Sequence, residues 1–307
     1  MRTIPVSVVI ATKDRPVYLK ATLDSFAGQS VIPLEVVIID GSESDDSRRV
    51  CGETQWPFVI AYELAVVNGA AAQRLQGVEK TKGDFIWFAD DDIVLEPFCA
   101  ERLWNAFLLF PETGAVNAMI TNQRYTPPGT LTRFMYRMID GSSRSSYAGR
   151  LIGPAWNLLP EDDDSLPEYV PCEWLNTTCT IYRRSALPTP IFDDFFKGYS
   201  LMEDVAVSAT MARHHLLLNA RTARIFHDSQ PGSHKDNVRL VAEMSLVNRY
   251  YVMVRILQRS GVRYVLKLMA LEAFGLITSL RTARAWTFLP QVLLGKFDGW
   301  LKIIRMR

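Results

Sequence analysis

An α/β fold, in which helices flank a mostly parallel sheet and a helical appendage follows it, is what this 307-residue sequence predicts. Three observations lead there. β-branched apolar runs alternate with segments of helical periodicity through the N-terminal third of the chain. Polar residues collect at the carboxyl end of each run, the edge at which open parallel sheets gather their ligands. From Asn237 onward the strand pattern stops, and apolar residues recur at helical spacing between basic ones.

The first strand is Val6 to Ile10, VSVVI, ended by the polar turn ATKDRP. The stretch VYLKATLDSFAGQ then places Leu19, Leu23 and Phe26 on one helical face. LEVVIID at 34–40 is a second strand and runs into the turn-rich DGSESDDS. A strand near 58–64 and a helix through AAAQRLQGVEKT follow. DFIWFA has the unbroken apolar character of a central strand buried on both faces, yet it leads straight into Asp90, Asp91 and Asp92. That acidic triplet falls on the same edge as Thr12, Asp14 and Asp40.

Residues 125–170 are rich in Pro, Gly, Ser and Arg without sustained periodicity, which reads as insertion-like, substrate-contacting loops. Within them the run EDDDS at 161–165 reads as a solvated charged loop. The C-terminal segment VRYVLKLMALEAFGLITSL includes Arg263, Lys267 and Glu272, charges that argue against a membrane span. Its pattern fits both an interfacial helix and a helix packed on its neighbours.

Residues 236–307 hold 12 Lys and Arg against 4 Asp and Glu, and residues 1–235 hold 22 against 29. The basic tail and acidic body therefore suit different partners. A 48% hydrophobic content excludes disorder as the main state. Nucleic acid is disfavoured as a partner, because the basic residues are spread along apolar helices and the body is acidic. Cys51, Cys99, Cys172 and Cys179 have neither zinc-site spacing nor the density of a disulfide scaffold, which points to structural thiols in a reducing cytosol. The opening MRTIPVSVVIATKDRP has an apolar run too short for a signal peptide.

Carboxylates spaced as Asp90 and Asp92 at a strand end suit a hard divalent cation, Mg²⁺ or Mn²⁺, and equally an acidic turn or a helix start. Glu203 and Asp204 open a helix running to Arg213, where negative charge is tolerated; a carboxylate there could also serve as a general base. Spacing alone leaves both choices open.

The ordered combination SVVIATKDRPVYLKATLDSFAGQS, EVVIIDGSESDDS and NGAAAQRLQGVEKTKGDFIWFADDD resembles the nucleotide-sugar-binding half of the family 2 glycosyltransferases, which have the GT-A fold. CEWLNTTCTIYRRSAL and FDDFFKGYSLMEDVAV are similar to the acceptor half of their rhamnosyltransferase-like members. The resemblance implies a catalytic domain over 1–235, with the donor and metal half at 1–100 and the acceptor half at 101–235, and a basic amphipathic helical region over 236–307. It implies that Thr12, Asp14, Arg15, Asp40 and Asp45 hold the nucleotide base and ribose. Arg74 would face the diphosphate or ribose, and Asp91 the sugar or ribose. Asp90 and Asp92, helped by His227, would hold the metal, and Asp204 with Glu203 beside it would act as base.

Three departures stand out: D-G-S-E-S-D-D where D-D-G-S-x-D is commoner, Leu75 where many relatives have Asn, and Ala206 where a second Asp is common after E-D-V. The function implied is inverting transfer from a nucleoside-diphosphate sugar to a saccharide or lipid-linked acceptor, in synthesis of surface polysaccharide or glycolipid. A cytoplasmic enzyme peripheral at the inner face of the cell membrane follows, with 236–307 meeting anionic lipid. The competing readings are a non-catalytic nucleotide-sugar-binding module and a metal-dependent nucleotidyltransferase. The latter should carry a Gly-rich phosphate loop after the first strand, and ATKDRP contains no glycine.

Overall fold

The VSVVI run extends into a longer strand, β1 (Arg2–Thr12), at the middle of a parallel set. Beside it in chain order come α1 (Pro16–Ala27), β2 (Val31–Asp40), α2 (Asp46–Glu53), β3 (Val59–Leu64), α3 (Ala70–Lys80) and β4 (Phe85–Asp90). Pro16 stands at the first turn of α1, where its missing N–H costs nothing. The structure, a computed structural model, describes residues 2–196, 200–229, 237–280 and 283–306.

β5 (Ile93–Leu95), α4 (Cys99–Leu109), β6 (Thr113–Ile120), β9 (Tyr169–Pro171), β10 (Cys179–Arg183), α6 (Glu203–Met211) and β11 (Leu216–His227) complete the first of two units. That unit comprises Met1–Tyr125 and Leu159–Gln230. Its sheet runs β3-β2-β1-β4-β10-β6-β11-β5, with β9 paired to β11. β1 is parallel to both β2 and β4, while β10 runs antiparallel between β4 and β6. Strand order therefore reverses at β1 and β4, which leaves a crevice beyond their carboxyl ends. The register sets Thr12 against Asp40 and Ala11 against Asp90, so the polar strand ends lie side by side.

The unbroken apolar run of β4 is explained by two cores, one on each face of the sheet. Trp87 meets Phe26 of α1 edge-on at 4.9 Å, and Phe88 meets Tyr182 of β10 on the other face at 5.4 Å. Gly77 allows α3 to lie close on β1, since a Cβ there would stand 2.4 Å from Val9 Cγ1.

The second unit, Thr126–Leu158 with Pro231–Arg307, contains α5 (Thr130–Asp140), the hairpin of β7 (Leu151–Ile152) and β8 (Trp156–Asn157), and the helices α7 (Val238–Tyr251), α8 (Val262–Ser279) and α9 (Ala283–Arg305). α5 corrects the reading of 125–170 as loops. TLTRFMYRMID is short and flanked by turn residues, and it forms a helix that buries Tyr136 and Ile139 and ends at Gly141 in a left-handed cap, φ 88°. Lys267 of α8 donates to the Ile139 carbonyl at 2.6 Å. Arg249 of α7 lies 4.8 Å from the Trp156 ring centre and pairs with Glu272, which also binds Lys296 of α9 at 2.6 Å. α9 meets α7 through Gly295 and Gly299, and a Cβ at Gly295 would stand 2.2 Å from the Arg239 carbonyl oxygen. Among the described residues no helix is long and apolar enough to cross a membrane.

The acidic run at 161–165 is not merely solvated. Asp162 binds Arg224 and Asp164 binds Arg221, each at 2.7 Å, so the run is tied to β11.

Candidate active site

The carboxyl ends of β1, β2 and β4, the start of α6 and the end of β11 bring most of the expected residues to one edge. Three adjacent aspartates repel one another, and here each has a cationic or hydrogen-bonding partner, Arg15 serving two of them. Asp90 accepts from Arg74 at 2.6 Å. Asp91, turned inward, accepts from the Thr12 hydroxyl at 2.6 Å and from Arg15 at 3.2 Å. Asp92 accepts from Arg15 at 3.3 Å and has His227 Nε2 at 3.1 Å.

Burial pushes the Asp91 carboxyl up to about 6, against the opposing pull of Thr12 and Arg15. One oxygen each of Asp90 and Asp92 and a ring nitrogen of His227 lie within 4.8 Å of one another. His227 Nδ1 lies 3.2 Å from the Gln123 side-chain nitrogen, and Asn122 grips the His227 backbone from both sides. A second contact of this sort is common behind a ligating imidazole, because it fixes the ring.

Arg74 is buried on α3 and joins two parts of the edge, with Asp90 on one side and Glu203 at 3.3 Å on the other. Burial works against its charge, and the two carboxylates more than offset that, so its pKa stands above the ordinary value. The resemblance points Arg74 at the donor; here its guanidinium faces these two acids. Leu75, at the position of the family's Asn, packs on the core instead.

Glu203 is buried, whereas Asp204 keeps part of its side chain open. Burial raises both carboxyls. Glu203 is raised further by Asp204 and drawn down by Arg74, while the Val205 N–H, donating to Asp204 at 2.7 Å, and Arg74 pull Asp204 down. Asp204 is the more accessible of the two. Ser200 (φ 55°) and Met202 (φ 72°) hold left-handed conformations just before α6, each costing roughly 1 kcal/mol or more.

Asp40 is buried and accepts three hydrogen bonds: Ser42 donates to it through its backbone N–H at 2.8 Å and its hydroxyl, and the Tyr62 hydroxyl donates at 2.8 Å. Ser42 in turn accepts from the Asp14 N–H at 2.6 Å, which ties the loops after β1 and β2 together. Asp45 is exposed at the start of α2. Tyr62, Gln73 and Gln123 had no sequence signal of their own. Gln73 donates to the carbonyls of Thr12 and Ile39 at 2.9 and 2.8 Å, holding the ends of β1 and β2 together.

The chain matches the family profile described as Glycosyl transferase family 2 over residues 7–188, more than half its length. A curated relative, the GalNAc(5)-diNAcBac-PP-undecaprenol beta-1,3-glucosyltransferase of Campylobacter jejuni, is 30% identical over 89 residues, 28% of this chain and 29% of that protein. The chain spans only 16 to 38% of the length of such curated relatives. The crystal structure of S. aureus TarS 1–349 in complex with UDP-GlcNAc superposes with a TM-score of 0.55 at 14% identity, over 96% of this chain and 79% of that one. The mannosyltransferase PcManGT of Pyrobaculum calidifontis, in complex with GDP-Man and Mn²⁺, gives 0.54 at 13% identity, over 97% and 86%. Its match to the family profile and its likeness in fold to these transferases make the chain a member of glycosyl transferase family 2 with the GT-A fold.

Proposed function

We propose that the protein is an inverting glycosyltransferase that moves a sugar from a nucleoside-diphosphate donor to a hydroxyl of a saccharide or lipid-linked acceptor. The observation that carries this reading is the convergence of Asp90, Asp92 and His227 at the crevice edge. Two carboxylate oxygens and one imidazole nitrogen are a donor set that fits Mg²⁺ or Mn²⁺. A bound ion would supply charge neutralisation to the departing diphosphate.

The remaining steps belong to the chain. Thr12, Asp14, Arg15, Asp40 and Asp45 receive the base and ribose. Arg74 holds Asp90 and Glu203 in place, and Asp204, the more accessible carboxylate beside Glu203, faces the acceptor. Asp204 takes the acceptor's hydroxyl proton while that oxygen bonds to the anomeric carbon and the bond to the diphosphate oxygen breaks. One displacement inverts the centre. In this reading residues 1–100 serve the donor, 101–235 serve the acceptor, and the basic helical region brings the enzyme to the cytoplasmic face of a membrane where a lipid-linked acceptor is met. Four buried free thiols agree with a reducing compartment.

A thermal-shift panel of nucleoside diphosphates with and without Mn²⁺ tests the proposal. Occupancy at a hundred times Kd stabilises by about 2.7 kcal/mol, enough to move the melting temperature by several degrees. One diphosphate should stabilise the wild type in a Mn²⁺-dependent manner, and Asp92→Ala should abolish that dependence. If no diphosphate shifts the wild type with Mn²⁺ present, the donor assignment is wrong.

A further inference from the structure

Three helices of the second unit bury apolar residues, Tyr136, Ile139, Leu268, Leu271 and Ile303, yet also carry large apolar side chains on their outer faces. α8 directs Glu272 and Lys267 inward, to Arg249, Lys296 and the Ile139 carbonyl. Outward it presents Val262, Leu266, Met269 and Ile277, each at least half exposed. These recur every three, four or eight residues, so they form one stripe, about 22 Å long at 1.5 Å per residue. α9 repeats the arrangement: Gly295, Gly299 and Ile303 are buried, while Trp286, Phe297 and Ile304 stand at 59, 60 and 65% exposure. On α5, packed beside α8, Leu131, Phe134 and Met138 are likewise exposed. A helix whose outer face met water would carry polar residues there.

Charge identifies what covers these faces. Arg133 and Arg137 flank the α5 stripe, Arg263 the α8 stripe and Arg305 the end of α9; all four are exposed and make no ion pair among the described residues. The acids described in this unit are engaged: Asp140 with Arg144, Glu243 with Lys302, Glu272 with Arg249 and Lys296, and Asp298 with Arg239. A two-fold contact with a second copy would oppose like charges across an apolar face. An anionic bilayer surface offers hydrocarbon for the stripes and phosphate for the guanidiniums.

We propose that the outward faces of α5, α8 and α9 are a monotopic membrane-docking surface, which lies in the headgroup region of an anionic bilayer without crossing it. This rests on, and makes specific, the membrane part of the function proposed above.

The test is flotation of the full chain with vesicles of phosphatidylcholine alone or equimolar with phosphatidylglycerol, at low and high salt. The wild type should float with the anionic vesicles at low salt and be weakened by salt or by the triple change Arg133→Gln, Arg137→Gln, Arg263→Gln. Leu266→Glu with Met269→Glu, and Phe297→Glu with Leu301→Glu, should each reduce the bound fraction about tenfold while leaving the melting temperature near wild type, because the sites are exposed. No flotation by the wild type at low salt, or flotation unchanged by either pair, overturns the proposal. So does equal binding to both vesicle types, or a dimer in sedimentation that the same pairs dissociate without any vesicle binding. The Mn²⁺ and nucleoside diphosphate melting shift, measured on every variant, keeps the two proposals apart. A retained shift with lost flotation faults the surface alone, and an absent wild-type shift faults the donor site alone.

Discussion

Asp91 lies buried between Asp90 and Asp92, hydrogen-bonded to Thr12 and Arg15. Its folded pKa of about 6 exceeds the ordinary 3.8, so it binds its proton more tightly in the folded state. Its stabilising contribution is therefore complete below pH 3.8 and is lost as the pH rises through about 6. Two pKa units correspond to at most about 3 kcal/mol. With EDTA present, the melting temperature should fall between pH 4 and 6, Asp204 and Glu203 adding to the fall, and Asp91→Asn should make it shallower; an equal slope in the variant would remove Asp91 as a contributor. Asp204→Asn keeps size and loses the base. Its kcat should drop by about 10²–10⁴ while the Mn²⁺-dependent donor shift stays, measured by transfer assay and melting curve side by side. Normal turnover with normal donor binding would retire Asp204 as the base.

Strands and helices position these groups through close approaches that only small residues permit. Gly77→Ala would drive a methyl group into Val9 on β1, in the register that carries Thr12 to Asp40. Overpacking of this kind costs about 1–3 kcal/mol, and a urea midpoint lowered at constant m-value would report it. Gly295→Val should loosen α9 from α7, because the Arg239 carbonyl is backbone and cannot swing aside. Hydrogen exchange should then quicken in 238–251 and 283–305, with little change in β1 and β4. Uniform quickening would mean that the two units melt together.

Composition divides the protein as the contacts do only in part. The basic tail and acidic body are visible in the residue counts, yet the helical unit also recruits 126–158, which supplies α5 and the β7–β8 hairpin. Those residues were illegible as structure because α5 is short and what covers it, Tyr147, Trp156 and α8, reaches it only through the fold. The inward charges of α8 and α9 follow the same logic: Glu272 can turn inward because it meets both Arg249 and Lys296, contacts that no local pattern announces.

The alternation of β-branched runs and helical periods was enough to place β1, β2, β4 and their polar ends, since a strand's period and length are local properties. Spacing along one strand end likewise exposed Asp90 and Asp92 as a possible ligand pair. Folding decided what local pattern cannot carry. It brought His227 from the far end of β11 to the pair, set Arg74 between Asp90 and Glu203, and gave Asp40 the hydroxyl of Tyr62. It also tied the acidic run at 161–165 to Arg221 and Arg224. Each of these depends on which strands become neighbours, and that is fixed by burial of two sheet faces across the whole chain.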